Sequence, residues 1–147
     1  MNTARPVSMQ RVRLAIASRN LAFQEVAEGQ WQQSCQHCIM MVGIEAPAIL
    51  RFKARSRRSF HDDGSLGDLR RYVTASNRKR AFPKAYLEAL DVAGTYTVSA
   101  EVNRLIASGL SELQFNAFIE HATHALLSFF SDFERVGPLQ SIGAADA

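Results

Sequence analysis

The stretch RVRLAIASRNLAFQEVAEGQW, residues 11–31, decides the expected fold, because its apolar residues recur at the spacing of an amphipathic helix. This apolar stripe consists of Val12, Ala15, Ile16, Leu21, Ala22 and Val26. Gly29 is expected to end the helix, since glycine readily takes the left-handed backbone of a helix end. Trp31 then begins a second helix, which continues to residue 58 after a break near Pro47. The two helices form a hairpin over residues 12–58 that must recruit further helices to bury its stripes.

Further apolar segments predict shorter helices in the second half of the chain. They begin near Ser65, Pro83 and Ala100, and a polar, basic loop is expected over residues 75–81. Residues 95–99, TYTVS, alternate and are β-branched, which is typical of a strand. Because no second strand is recognisable as a partner, an extended loop is expected there instead.

The last predicted helix, residues 112–133, is the most apolar of the set. Ser111 and Gln114 have the spacing of a capping box, in which each side chain bonds the backbone of the other. A wide aromatic and aliphatic face follows, formed by Phe115, Phe118, Ile119, Ala122, Leu126, Phe129, Phe130 and Phe133. This face is expected to bury itself in the core.

The sequence therefore predicts an all-α fold, an up-and-down helical bundle of four to six helices. One domain is expected over residues 11–136, between a flexible N-terminal arm, residues 1–10, and a flexible C-terminal tail, residues 137–147. Apolar residues make up 47% and charged residues 21% of the chain, as in ordinary globular proteins. No apolar run reaches the roughly 20 residues of a membrane span. The first residues lack the apolar core of a secretory signal, so a cytoplasmic location is expected.

The net charge of +3 conceals an asymmetry. Residues 51–84 hold eleven Lys and Arg against three acids, or +8, and the remainder of the chain nets −5. Such a segment favours an anionic partner, namely RNA, a nucleotide or an acidic protein. The alternative is a solvated basic face paired with the chain's own acids. The residues expected to bind are Arg51, Arg55, Arg57, Arg58, Arg70, Arg71, Arg78, Lys79 and Arg80.

Several segments together resemble the HEPN (higher eukaryotes and prokaryotes nucleotide-binding) domains. They are LAIASRNLAF (14–23), AEGQWQQSC (27–35), EAPAIL (45–50), His61 and LGDLR (66–70). The resemblance implies a HEPN-like binding or accessory module that engages RNA, a nucleotide or an acidic protein partner such as a nucleotidyltransferase. A homodimer is expected, because helical hairpins of this type pair through leftover apolar surface.

The resemblance also implies an alternative, a metal-independent HEPN-type ribonuclease. Its catalytic pair would be Arg55 and His61, whose spacing fits the Arg and His of that family. An imidazole can exchange a proton near neutral pH and a fixed cation can hold phosphate charge. The simpler interpretation of His61 is a surface histidine at a helix end. A third hypothesis is a purely helical interaction or regulatory protein.

Two pairs of metal-binding residue types share a spacing of three, Cys35 with Cys38 and His121 with His124. On facing helices they could form a tetrahedral zinc set. The favoured interpretation is that the cysteines pack in the core as small apolar residues. No metal and no cofactor is therefore expected.

Overall fold

The computed structural model describes residues 3–61 and 65–136, which form three helices and seven strands. In chain order these are α1 (Met9–Ser18), β1 (Gln24–Ala27), β2 (Gln30–Ser34), β3 (Cys38–Glu45), β4 (Ile49–Ser56), β5 (Phe60–His61), α2 (Ser65–Lys79), β6 (Lys84–Ala89), β7 (Thr95–Leu105) and α3 (Glu112–Val136). All strand pairings are antiparallel. The predicted all-α helical bundle is therefore wrong, and the fold is a mixed one of sheet and helices.

The sheet places β1, β2, β3, β4 and β7 side by side in that order. β5 also pairs with β7, where it follows β4, and β6 pairs with β7 as well. Because both β5 and β6 reach Tyr96, they must lie on opposite sides of β7. β7 is thus an inner strand, and β1 and β6 form the two edges.

The predicted second helix is wrong because its residues follow the two-residue period of a strand. β4 buries Leu50, Phe52 and Ala54 and turns Arg51 and Lys53 to the other face. Alternation of this kind puts successive side chains on opposite faces of a sheet. β3 shows the same alternation, and it pairs with β4 over its whole length.

The predicted first helix is correct only in its first half. α1 ends at Ser18, and Asn20 follows with a left-handed backbone, φ +58°. Gly29 does take the predicted positive φ, +72°, but in the turn between β1 and β2 instead of at a helix end. The residues from Gln24 to Ala27 form an edge strand, so their helical spacing was a local coincidence.

The segments expected as a loop at residues 95–99 and a helix from Ala100 are instead the single strand β7. The predicted helix from Pro83 is likewise wrong, because Lys84–Ala89 is strand β6. β7 has no evident partner in the sequence as long as β4 and β6 are interpreted as helices. Cross-strand partners supply the stabilisation that local propensity does not show.

The two remaining helices bear out their sequence signals. α2 begins at Ser65 but runs on through most of the expected loop to Lys79. α3 spans Glu112–Val136, and its capping box is confirmed. The Gln114 backbone N donates to Ser111 Oγ at 3.1 Å, and the Ser111 N donates to Gln114 Oε1 at 2.9 Å.

The helices pack on one face of the sheet and leave the other face for side chains that point away from the core. Phe118 of α3 meets Phe52 of β4 edge to face, with ring centroids 5.9 Å apart. The ring centroids of Tyr72 in α2 and Phe133 in α3 are 5.2 Å apart. The Arg11 Cζ of α1 lies 4.3 Å from the centroid of the Phe115 ring. These contacts tie all three helices into one core.

The predicted domain limits are not tested by these contacts. Arg5, within the expected arm, exchanges two backbone hydrogen bonds with Leu110, of 3.0 and 2.9 Å. The expected tail, residues 137–147, lies outside the described residues. Within the described chain, no helix has the length and apolar character needed to cross a membrane.

Candidate functional site

The face of the sheet opposite the helices carries the most organised polar side chains of the molecule. We call it the outer face. Register places Arg51 opposite Asn103, Lys53 opposite Glu101, and Arg55 opposite Ser99. β6 adds Tyr86 opposite Ser99 and Glu88 opposite Thr97. Residues directly opposite one another share a face, so these side chains form rows across β4, β7 and β6.

Arg51 is held by two carboxylates and an amide. Its Nη1 lies 2.6 Å from Glu45 Oε1, and its Nε lies 3.2 Å from Glu101 Oε1. The same Nε donates to Asn103 Oδ1 at 3.1 Å. The Asn103 amide in turn donates to Glu101 Oε1 at 3.1 Å. Arg51 is therefore neutralised by the chain itself.

Lys53 is fixed in the same way by Glu88. The Lys53 Nζ lies 3.0 Å from Glu88 Oε1, and the fully buried Ser99 Oγ donates to that oxygen at 2.6 Å. Burial opposes ionisation of Glu88, but the hydrogen bonds from Ser99 and Lys53 and the charges of Lys53 and Arg55 outweigh it and lower its pKa. Glu88 is thus a stable carboxylate in the middle of the outer face.

Tyr86 completes this network from β6. Its hydroxyl donates to Glu101 Oε2, and burial, followed by that hydrogen bond, raises the pKa of Tyr86 far above its ordinary value. The Lys53 ammonium lies 5.8 Å from the centre of the Tyr86 ring. Tyr86 is therefore a permanent hydrogen-bond donor at neutral pH.

Arg55 stands apart from Arg51 and Lys53. It is half-buried on the same face, yet the described residues offer its guanidinium no hydrogen bond or ion pair. Its charge is near enough to Glu88 to help lower the pKa of that carboxyl. Its cross-strand neighbour on β3 is Ile39. Arg55 is consequently a positive charge held at the protein surface with its donors available.

A shallow depression of about 240 Å³ adjoins this network near the β1 edge. Its lining includes Trp31, Gln32, Met41, Gly43, Arg51 and Lys53. The depression combines an aromatic ring, a thioether and two cations. Such a mixture suits contact with a peptide side chain.

The nine basic residues predicted to bind an anion lie on separate elements. Arg51 and Arg55 belong to the outer face. Arg57 is exposed, and its Nη1 donates to the Cys35 carbonyl at 3.3 Å. Arg58 Nη1 lies 3.5 Å from Glu134 Oε2. The first two share a surface, and the next two lie in the connection from β4 to β5.

The other five lie on α2 or directly after it. Arg70, Arg78 and Lys79 are exposed. Arg71 pairs with Asp68, and Arg80 Nη2 lies 2.8 Å from Asp132 Oδ2. Pairing with the chain's own acids thus accounts for Arg51, Arg58, Arg71 and Arg80. A binding role for the nine residues stays a prediction.

The structure separates Arg55 from His61. Arg55 pairs with Ser99 and the exposed His61 pairs with Thr95, four residues away on β7. Four residues of strand span about 13 Å. The backbones of the two residues are therefore separated by about 13 Å along the sheet.

The four candidate zinc ligands are not gathered at one point. Among the described residues, no group of three or more His, Cys, Asp or Glu side chains is placed to hold a metal ion. Cys35 and Cys38 flank the turn between β2 and β3, whereas His121 of α3 packs edge-on against Phe82 at 4.9 Å. His124 is exposed on α3.

Sequence reasoning missed Glu88, Ser99, Glu101 and Tyr86, because β6 and β7 were not recognised as paired strands. A signal was present in β7. Ser99, Glu101 and Asn103 alternate with the apolar residues between them, as in a strand with one polar face.

Comparison with known proteins identifies the fold and the family. The model of the YbjN family, described as "Putative bacterial sensory transduction regulator", matches residues 10–135. The chain is also similar to a solved structure, "Crystal structure of YbjN, a putative transcription regulator from E. coli", with a TM-score of 0.76 at 12% identity. That similarity covers 90% of this chain and 96% of the other, and at this identity it shows the fold alone. No protein among the curated ones matches.

These findings correct the resemblance drawn from the sequence. A HEPN domain is a helical bundle, whereas this chain has a seven-stranded sheet and matches another family. The HEPN-like RNA- or nucleotide-binding module, the HEPN-type ribonuclease and the purely helical interaction protein are therefore wrong. The chain belongs to the YbjN family.

Proposed function

We propose that this protein is a non-catalytic regulator that binds an acidic segment of a partner protein through its outer face, centred on Arg55. One observation carries the proposal. Arg51 and Lys53 are neutralised by the chain's own carboxylates, whereas Arg55, on the same strand and face, makes no hydrogen bond or ion pair with the described residues. A half-buried guanidinium with free donors is a ready site for a carboxylate.

The surroundings of Arg55 favour binding, because they are already fixed. Glu88 and Glu101 hold Lys53, Arg51 and Tyr86 in place through direct contacts. A preorganised surface loses little conformational freedom when a partner docks. Ile39 and Met41, half-buried beside the charged row on β3, add apolar contact to the same surface.

The protonation states of the outer face favour binding over catalysis. The lowered pKa of Glu88 keeps it ionised, and the raised pKa of Tyr86 keeps it protonated, at neutral pH. Neither group is poised to take up and release a proton there. The family description as a regulator of sensory transduction agrees with a binding role. We propose a cytoplasmic location for this activity.

The test is an NMR titration of the ¹⁵N-labelled chain with a short glutamate-rich peptide. Amide shifts are expected to concentrate on β3, β4 and β7 and to weaken as salt is added. Arg55→Gln is expected to weaken binding at least about tenfold, because losing a hydrogen bond to a charged group costs roughly 1.5–3 kcal/mol. The matched control is Arg78→Gln on α2, which should leave binding unchanged. Shifts centred on α2, or equal effects of the two variants, would overturn the proposal.

The homodimer expected from the sequence stays a prediction. It is separable from the present proposal, because sedimentation of the free protein reports self-association without any peptide.

A further inference from the structure

The β2–β3 hairpin brings the two cysteines of the chain to opposite sides of one tight turn. Ser34 and Ile39 form the last pair of the ladder, and the next pair is Cys35 and Cys38, with only Gln36 and His37 between them. The Cys35 N donates to the Cys38 carbonyl at 2.8 Å. Because directly opposed residues project to the same face, both thiols lie on the same side of the hairpin.

This geometry meets the requirements of a disulfide. Hydrogen-bonded antiparallel partners have Cα atoms about 5.5 Å apart. The Cα atoms of disulfide-linked cysteines are about 4.4–6.8 Å apart, and the separation expected at this position falls within that range. Both cysteines are free, and the Cys35 Sγ lies 3.9 Å from the Gln33 carbonyl oxygen.

The two thiols differ in access to solvent, which assigns them different roles. Cys38 is 1% exposed and belongs to the core, whereas Cys35 is half-buried at the end of β2. Arg57 lies beside Cys35, since its Nη1 donates to the Cys35 carbonyl at 3.3 Å. A reagent from solvent therefore reaches Cys35 first.

We propose that Cys35 and Cys38 are a redox modification site that forms a reversible disulfide within the chain by exchange with a small-molecule disulfide. The Cys35 thiolate attacks one sulfur of the reagent, breaks its S–S bond and releases one thiol. The Cys38 thiolate then attacks the Cys35 sulfur and releases the second thiol. The protein loses two electrons and two protons, and the reagent is reduced to two thiols.

The thiol pKa values set the pace of this exchange and agree with the assigned roles. Burial raises the pKa of Cys35, opposed by the Cys38 hydrogen bond and the Arg57 charge. Burial and the neighbouring Cys35 raise the pKa of Cys38 to about 12. Thiolate is the nucleophile, so exchange is slow at neutral pH, accelerates as the pH rises, and begins at Cys35.

The site lies beside α3. A cavity of about 200 Å³ separates the tip from the helix. Its lining consists of Gln36, His37, Cys38, Leu127, Phe130 and Ser131. A disulfide would lock the tip above this cavity. The inference does not depend on the proposed outer-face function, because Cys38 points into the core.

The test uses the full chain, incubated with oxidised glutathione at alkaline pH, quenched with acid and analysed by intact mass. The wild type is expected to lose two hydrogens and to retain no glutathione. Cys38→Ser should accumulate one glutathione adduct at Cys35, because the resolving thiol is gone. Cys35→Ser should react at least tenfold more slowly, because Cys38 is buried.

Three results would overturn the proposal. They are a wild-type chain that keeps both thiols, a stable glutathione adduct on the wild type, and a Cys35→Ser chain that reacts as fast as Cys38→Ser. The wild-type measurement decides the question by itself if either serine variant fails to fold. Circular dichroism of each variant identifies that case.

Discussion

Asn77 of α2 pairs with the backbone of Ala85 in both directions. Its Nδ2 donates to the Ala85 carbonyl, and the Ala85 N donates to Asn77 Oδ1, each at 2.9 Å. Ala85 lies on the edge strand β6, so a side-chain amide occupies the place of a further strand. Unpaired strand edges invite association with other chains, and this contact closes one.

Replacing Asn77 with Ala should lower the free energy of unfolding by about 1–3 kcal/mol, because it leaves the buried N–H and C=O of Ala85 without partners. Urea denaturation followed by circular dichroism measures the change. Thr74→Ala, at an exposed position of the same helix, is the control and should stay within about 0.5 kcal/mol of wild type. Equal stabilities of the two variants would contradict the role of Asn77.

Gly109 should not tolerate a side chain. Its φ is +73°, and an added Cβ would lie 2.5 Å from the Arg5 carbonyl oxygen. Gly109→Ala is expected to cost about 2–5 kcal/mol, the sum of left-handed strain and overpacking. Gly94, with φ +78° and no atom within 4 Å of its Cβ position, isolates the strain. Gly94→Ala should cost only about 1–2 kcal/mol. Thermal denaturation of both variants measures the two costs.

The capping box of α3 should contribute measurably to stability. Ser111→Ala removes the oxygen that accepts the Gln114 N–H and should destabilise the chain by about 1 kcal/mol. Ser128→Ala, at an exposed position within the same helix, supplies the control. If Ser128→Ala lowers the free energy of unfolding as much as Ser111→Ala does, a specific capping effect is excluded.

Glu88 should make the protein sensitive to acid. Its folded pKa lies below the ordinary value of 4.5, so the unfolded chain binds a proton more readily than the folded one. The stabilisation is therefore complete above that ordinary value and is lost as the pH falls through the folded pKa. Glu88→Gln should flatten this part of the stability curve in urea titrations at several pH values. Glu120→Gln, at an exposed position of α3, should leave the curve unchanged.

The sequence predicted the helices whose signals are local, and it failed for the sheet. The start of α3 and its cap follow from Ser111, Gln114 and the aromatic face that comes after them. Strand β7, in contrast, is held on one side by β4, whose residues lie more than forty positions before it, as in the pairing of Phe52 with Val102. Such long-range pairs supply energy that no single window of sequence contains.

The candidate site was predictable only in part for the same reason. Arg51 and Arg55 were found from the density of basic residues in their segment. Whether each is neutralised depends on Glu88 and Glu101, which reach the outer face through the register of β6 and β7. Composition can count charges, but only the paired strands decide which remain available to a partner.

The position of β7 also has a consequence during synthesis on the ribosome. When the chain has emerged only as far as β6, β4 still lacks the neighbour that will pair with it from Ile49 to Arg55. Phe52 then has neither Val102 beside it nor Phe118 above it. The nascent protein thus passes through a stage in which the apolar face of an incomplete sheet is exposed to solvent. A general chaperone would bind the chain during this stage.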